Sequence, residues 1–118
     1  MKKILLIEDE PQHILLVKLR LEVNGFEVIA AQNGSDGVAA AAQYAPDLVL
    51  MDLMLPDMQA KELIDALRAL PGAAATPVIA FTALDPAATL RRGITRDIAG
   101  FIQKPYETSE LLEKIRSV

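Results

Sequence analysis

The sequence predicts an α/β fold, a (βα)5 three-layer sandwich in which helices cover both faces of a parallel five-stranded sheet. Five short β-like runs alternate with five helix-like segments, without linkers or repeats between them. Strict alternation of strands and helices requires crossover connections, which are right-handed and make neighbouring strands parallel. The predicted strands are residues 3–7, 27–30, 47–51, 77–81 and 100–102.

In the N-terminal half, the first strand is a nearly continuous apolar run, the pattern of a strand that is covered on both faces. The helix after it has one apolar stripe, formed by Ile14, Val17 and Leu21. This helix ends near Gly25, because glycine adopts a left-handed cap without steric cost. After the second strand, Asn33 or Ser35 can cap the second helix, and Pro46 precedes the third strand.

In the C-terminal half, the third and fourth strands are again apolar runs. The third helix has a stripe formed by Leu63, Ile64, Leu67 and Leu70. Pro71-Gly72 follows this helix, and Asp85-Pro86 combines a capping residue with a proline suited to the first helical position of the fourth helix. The fifth helix has a stripe formed by Leu111, Leu112 and Ile115.

Composition excludes several classes of protein. The chain has 118 residues, a net charge of −4 and no cysteine. The absence of cysteine excludes disulfides and thiolate chemistry, and the acidic balance disfavours non-specific nucleic-acid binding. The apolar run Ile4–Ile7 is shorter than the roughly 7–15 residues of a signal-peptide core or the about 20 of a membrane helix. We therefore expect one cytoplasmic domain over residues 1–118 that binds neither membranes nor nucleic acid.

Polar residues follow the predicted strands at their carboxyl ends, where open parallel sheets bind ligands. They are Glu8 and Asp9 after the first strand, Asp52 after the third, Thr82 after the fourth and Lys104 after the fifth. Asp9 or Thr82 alone would be interpreted as a turn former or a cap. Asp52 differs because it interrupts an apolar run, and burial of a lone carboxylate is costly without a partner.

This set of residues fits phosphoryl transfer to a carboxylate, with Asp52 as the nucleophile. A phosphoryl dianion can approach carboxylates only if a cation neutralises them, and Mg²⁺ prefers such oxygen ligands, here Glu8 and Asp9. Lys104 and the Thr82 hydroxyl would contact phosphoryl oxygens. No protein base is required, because an aspartate is ionised at neutral pH.

Four segments of the chain together resemble the receiver domain of two-component response regulators, the family of the bacterial chemotaxis receiver. They are residues 4–10 (ILLIEDE), 50–56 (LMDLMLP), 77–83 (PVIAFTA) and Lys104-Pro105. The resemblance covers essentially the whole chain and implies a single receiver domain with the flavodoxin-like strand order 2-1-3-4-5. It also implies a cis Lys104–Pro105 peptide bond.

The resemblance implies a role for each site residue, with Asp52 as the phosphoacceptor. The implied Mg²⁺ ligands are Glu8, Asp9, Asp52 and the backbone carbonyl of Met54. The implied phosphoryl contacts are the side chains of Thr82 and Lys104 and the backbone N–H of Ala83. Phe101 matches an aromatic switch position, whose ring would turn inward as phosphorylation draws Thr82 toward the site.

The resemblance also implies partners. A sensor histidine kinase or a histidine phosphotransferase would donate the phosphoryl group. A downstream protein would bind the surface formed by the fourth helix, fifth strand and fifth helix, with the chain a monomer or a phosphorylation-dependent dimer. The chain would be a signalling phosphoacceptor that catalyses only its own phosphorylation and dephosphorylation. Because it ends soon after the fifth helix, we expect a stand-alone receiver without a DNA-binding effector.

Several positions depart from the usual family pattern or have no role in it. Gln59-Ala60 stands where relatives commonly have Asp-Gly, and Asp97 replaces a frequent glycine. In relatives, the side chains two positions after the phosphoacceptor and two after the threonine influence attack by water. Here they are Met54 and Leu84, which are apolar and unable to orient a water, so the resemblance predicts slow dephosphorylation. His13 is the only histidine, and we expect it to be a half-exposed residue of the first helix.

Three other functions fit these residues less well. A pseudo-receiver that is never phosphorylated disagrees with the intact set of acids, Thr82 and Lys104. A flavodoxin-like flavin protein requires a glycine- and hydroxyl-rich loop after the first strand, where this chain has residues 8–11 (EDEP), and aromatic residues are only 4%. A haloacid-dehalogenase-type phosphatase requires an Asp-x-Asp motif, a spacing that Asp9 lacks.

Overall fold

The structure is a computed structural model that describes residues 2–73, 75–82 and 98–118. The described elements are β1 (Lys3–Ile7), α1 (Pro11–Glu22), β2 (Glu27–Ala31), α2 (Gly34–Tyr44), β3 (Leu48–Asp52), α3 (Ala60–Arg68), β4 (Val78–Thr82), β5 (Gly100–Gln103) and α4 (Thr108–Arg116). The helix predicted between β4 and β5, with Ala83, Leu84 and Asp97, lies outside the described residues. Across the described ranges, no helix is long and apolar enough to cross a bilayer.

The five strands form one parallel sheet in the order β2-β1-β3-β4-β5, which confirms the predicted fold class and the order implied by the resemblance. The register aligns the carboxyl ends of the central strands. Ile7 in β1 pairs with Met51 in β3, and Asp52 pairs with Phe81 in β4. Glu8, which directly follows β1, and Asp52, at the end of β3, therefore reach the same edge of the sheet.

The strands end later than the sequence predicted. Four of them continue one residue further, to Ala31, Asp52, Thr82 and Gln103. The prediction ended most of these strands before a polar side chain, but main-chain pairing does not depend on side-chain polarity. Asp52 is thus part of β3, and its backbone is held by the sheet on the side of β4.

Apolar side chains alternate across the sheet and build two layers of core, as expected for strands covered on both faces. Leu5, Ile7 and their neighbours pack with residues of α2 and α3. Ile4, Leu6 and their neighbours pack with residues of α1 and α4. Full burial of one such aliphatic side chain contributes about 1.5–3 kcal/mol, so this core holds the carboxyl edge of the sheet in place.

Turn residues define the ends of the helices. Asn33 is the cap of α2, since its side-chain oxygen accepts a 2.8 Å hydrogen bond from the N–H of Asp36. Gly25, with a φ of +90°, follows α1 as predicted. The helix α3 ends at Arg68, before the predicted Pro71-Gly72.

Candidate active site

Three carboxylates meet at the carboxyl edge of the sheet. One oxygen each from Glu8, Asp9 and Asp52 lies within 4.8 Å of the others. Glu8 and Asp52 are only 1% and 7% exposed, whereas Asp9 is exposed. Because β1 and β3 are adjacent and parallel, the chain delivers these acids to one place from segments more than 40 residues apart in the sequence. The sequence prediction that these acids converge is therefore confirmed.

Lys104 brings a positive charge to this acidic cluster. Its Nζ lies 2.8 Å from Oδ2 of Asp52 and 3.4 Å from Oε1 of Glu8. The residue directly follows β5, and its side chain extends over β4, where Nζ lies 6.0 Å from the centroid of the Phe81 ring. The Lys104–Pro105 peptide bond is cis, as the resemblance implies.

The pKa values of the two buried acids are shifted in opposite directions. Burial raises the pKa of Glu8, and the nearby Asp52 charge adds to this effect. Burial would also raise the pKa of Asp52, but its proximity to the less acidic Glu8 and the hydrogen bonds from Nζ of Lys104 and the Met54 N–H outweigh burial and lower that pKa. The same contacts raise the pKa of Lys104 against the opposing effect of burial. Asp52 is therefore ionised at neutral pH, as a nucleophile or a metal ligand must be.

The backbone after β3 orients Asp52. The N–H of Met54 donates a 2.7 Å hydrogen bond to Oδ1 of Asp52, while Oδ2 faces Lys104. The Met54 side chain is exposed. The role of its carbonyl as a metal ligand stays a prediction.

The acidic cluster fits a magnesium ion. Its donors are carboxylate oxygens, the hard ligands that Mg²⁺ prefers. Oε2 of Glu8 is buried and has no hydrogen-bond partner within the described part of the chain. A buried carboxylate oxygen without a partner is costly, and a cation or its bound water would satisfy it.

His13 contradicts its sequence prediction. Its side chain is 11% exposed rather than half-exposed, because α1 begins at Pro11 and its first turn lies against the carboxyl edge of the sheet. Nδ1 lies 3.0 Å from Oε1 of Glu8, and Nε2 lies 2.6 Å from the hydroxyl of Tyr106. Tyr106 is 93 positions away in the sequence, so no local pattern could have indicated this contact.

The remaining predicted site residues lie partly outside the described ranges. Thr82 ends β4, but nothing is described of its side chain, and Ala83 lies outside the described residues. Phe101 is partly buried in β5, where it packs against the core layer of α2 and α3. Its switch role stays a prediction.

Comparisons with known sequences agree with this geometry. A family model described as the response regulator receiver domain matches residues 4–116. Protein PilH of Pseudomonas aeruginosa is 33% identical over 118 residues, which cover 100% of this chain and 98% of PilH. The transcriptional regulatory protein KdpE of Mycobacterium tuberculosis is 34% identical over 117 residues, which cover 99% of this chain and 50% of KdpE. The chain thus spans about half the length of the transcriptional regulators that it matches.

Solved structures have the same fold. Chemotaxis protein CheY4 of Vibrio cholerae has a TM-score of 0.93 at 25% identity, with 100% of this chain and 98% of that chain covered. The receiver domain of the sensor histidine kinase PA1611 from Pseudomonas aeruginosa has a TM-score of 0.85 at 27% identity, covers 98% of this chain and 95% of that chain, and has magnesium in its active-site cleft. Since the family match runs through the same strand ends that carry the acids and the lysine, the chain belongs to the response regulator receiver domains of two-component systems.

Proposed function

We propose that this receiver domain accepts a phosphoryl group on Asp52 in a Mg²⁺-dependent reaction. The observation that carries this proposal is the meeting of three acidic side chains within 4.8 Å, with the Nζ of Lys104 2.8 Å from Asp52. Receiver domains are signalling phosphoacceptors that bind Mg²⁺ in an acidic site. The residues of this chain match that chemistry in type and in position.

In the proposed reaction, Oδ2 of Asp52 attacks the phosphorus of a phosphohistidine. The new O–P bond forms as the P–N bond breaks, and the histidine of the donor leaves with the electron pair and takes up a proton. The N–H of Met54 holds Oδ1, while Oδ2 faces Lys104. Lys104 lies against Oδ2 beforehand and would pair with a phosphoryl oxygen afterwards.

Glu8, Asp9 and Asp52 would hold the magnesium ion, with the backbone carbonyl of Met54 as a further ligand. The ion supplies the positive charge that lets a phosphoryl dianion approach a carboxylate. Thr82 and the N–H of Ala83 are proposed to contact the remaining phosphoryl oxygens.

The signal is proposed to pass to a downstream protein. Receiver domains interact with histidine kinases and with downstream targets. For this chain, a sensor kinase or a histidine phosphotransferase would be the donor. The output surface would include β5 and α4 together with the helix predicted before β5, and Phe101 would couple it to Asp52. The domain would act in the cytoplasm, as a monomer or as a dimer formed on phosphorylation.

Intact-mass measurement with acetyl phosphate and Mg²⁺ tests the proposed function. We expect the mass of one phosphoryl group to be added to the wild-type chain and to disappear when EDTA removes the metal. The Asp52→Asn variant should remain unmodified. Asp57→Asn is a matched control, because this acid lies on the following loop and contacts α2 rather than the acidic cluster.

Two results would contradict the proposal. One is a phosphoryl adduct that persists in Asp52→Asn. The other is an unmodified wild-type chain that nevertheless binds Mg²⁺, which would favour the phosphorylation-independent binding module.

A further inference from the structure

A second polar network lies beside the acidic cluster and links it to the loop after β5. The hydroxyl of Tyr106 lies 2.6 Å from Nε2 of His13. Nδ1 of the same ring lies 3.0 Å from Oε1 of Glu8. The proposed phosphorylation uses neither His13 nor Tyr106, yet the two together form a continuous connection to a metal-binding acid.

The chemistry of Glu8 determines the direction of its hydrogen bond with His13. The carboxylate of Glu8 can only accept, so Nδ1 of His13 donates to it. Nε2 of the same ring lies 2.6 Å from the hydroxyl of Tyr106, within hydrogen-bond distance. Burial raises the pKa of Tyr106 to about 12, and its hydroxyl therefore keeps its proton at neutral pH. The three side chains thus form one hydrogen-bonded row from Tyr106 through His13 to Oε1 of Glu8.

Packing holds the imidazole ring in this orientation. The ring meets Phe81 edge to face, with centroids 5.1 Å apart and an interplanar angle of 76°. Tyr106 meets it at 5.8 Å and 63°, and itself packs at 5.3 Å from Phe81. The His13 side chain is only 11% exposed. The ring could therefore not rotate away from Glu8 without loss of both aromatic contacts.

The two carboxylate oxygens of Glu8 therefore differ in their hydrogen-bond partners. Oε1 is engaged by His13 at 3.0 Å and by Lys104 at 3.4 Å. Oε2 is buried and has no hydrogen-bond partner among the residues described. With Oε1 occupied, the carboxylate has one oxygen left for a metal ion or its bound water, and its plane is fixed.

We propose that His13, itself oriented by Tyr106, is a positioning residue that holds Glu8 in the orientation required for Mg²⁺ binding. This inference rests on the proposed function and names two residues that set the metal affinity of the same site. Replacement of a residue that hydrogen-bonds a metal ligand typically lowers the metal affinity by about 10- to 100-fold. The affinity falls because, without that hydrogen bond, the ligand side chain must be ordered when the metal binds.

Three variants separate this role from simple packing. His13→Leu introduces an apolar side chain of similar size and removes both hydrogen bonds. His13→Gln retains a side-chain donor for Glu8. Tyr106→Phe keeps the ring and removes only the hydroxyl. Leu15→Ala, on an exposed part of α1, is the control for changes in that helix.

Isothermal titration calorimetry with Mg²⁺ alone tests the proposal, alongside urea unfolding to show that each variant is folded. We expect His13→Leu to weaken Mg²⁺ binding by about tenfold, His13→Gln to recover most of that loss, and Tyr106→Phe to weaken binding by a smaller factor. Leu15→Ala should bind as the wild type does. At saturating Mg²⁺, the phosphoryl adduct on Asp52 should form in every variant.

The outcomes distinguish this inference from the function on which it rests. If the wild type is phosphorylated and His13→Leu binds Mg²⁺ with unchanged affinity, the positioning role is wrong and the function stands. If the wild type binds Mg²⁺ but is never phosphorylated, the function fails, while a loss of affinity in His13→Leu still supports the positioning role. If His13→Leu does not fold, Tyr106→Phe decides, and unchanged affinity in that variant overturns the proposal.

Discussion

Replacement of Lys104 by methionine would remove the ammonium that neutralises the buried acids and leave a side chain of similar length over β4. The Nζ of Lys104 lies 2.8 Å from Asp52 and 3.4 Å from Glu8, and these acids are 7% and 1% exposed. In the absence of Mg²⁺, the Lys104→Met variant retains two buried carboxylates without this cation. We expect it to be less stable than the wild type at neutral pH.

The size of the effect follows from burial. Removal of one partner from a fully buried ion pair typically costs about 3–5 kcal/mol. The side chain of Lys104 is 25% exposed, so solvent screens part of this interaction. We expect the free energy of unfolding to fall by about 2 kcal/mol, a substantial part of the about 5–15 kcal/mol of a typical domain.

The stability lost in Lys104→Met should depend on pH. In the wild type, the lowered pKa of Asp52 contributes stability above the pKa of the unfolded chain, and this is lost as pH falls through the folded pKa. In Lys104→Met, the lowering effect of Lys104 on the pKa of Asp52 is absent, so less of this stability is available at neutral pH. The difference between the two proteins should therefore be largest near neutral pH and shrink in acid.

Urea unfolding followed by far-UV circular dichroism, from about pH 4 to about pH 8 and with EDTA present, measures this difference. Circular dichroism is used in place of tryptophan fluorescence, because the chain has no tryptophan. Lys61→Met is a matched control, since its Nζ lies 3.5 Å from Asp65 in an exposed helical pair worth less than about 0.5 kcal/mol. Lys104→Met combined with Asp52→Asn should recover most of the lost stability. If Lys104→Met unfolds like Lys61→Met at every pH, the reasoning is refuted.

Three further predictions concern the surroundings of the site. Gly37→Ala would place a Cβ 2.5 Å from Cδ1 of Ile7, so we expect about 1–3 kcal/mol of destabilisation in urea unfolding, and an unchanged midpoint would contradict the overpacking argument. Asp57→Asn weakens the acceptor of two N–H groups at the start of α2 and should lower the urea midpoint at neutral pH. Because these bonds lower the pKa of Asp57, the loss of stability in Asp57→Asn should vanish as pH falls through that lowered pKa. A loss of stability that persists in acid would contradict this role of the Asp57 carboxylate. Met54→Asn combined with Leu84→Glu should shorten the phosphorylated lifetime in an intact-mass time course, whereas a wild-type lifetime of seconds would disprove slow dephosphorylation.

The fold could be predicted because its signals are local. A strand such as β3 is read from its apolar run, and a helix such as α3 from the spacing of its leucines. The alternation of these elements then requires a parallel sheet. The strand order came from the resemblance to receiver domains, and the structure confirms it. The ends of strands were predicted less well, since main-chain pairing in β3 includes the polar Asp52.

The acidic part of the site could also be predicted, because a parallel sheet gathers the residues that follow its strands. The position of Asp52 within an apolar run already indicated a carboxylate that needs a partner. The sequence could not indicate which atoms meet. The 2.8 Å contact of Lys104 joins residues 52 positions apart.

By itself, the sequence determined the class of fold and the edge of the sheet at which charged residues gather. Only the tertiary structure decided that His13 turns inward between Glu8 and Tyr106, and that one oxygen of Glu8 is left buried and unpaired among the described residues. The physical reason is that secondary structure follows from the spacing of neighbouring residues. Hydrogen bonds between side chains instead depend on the packing of distant segments, which no local pattern records.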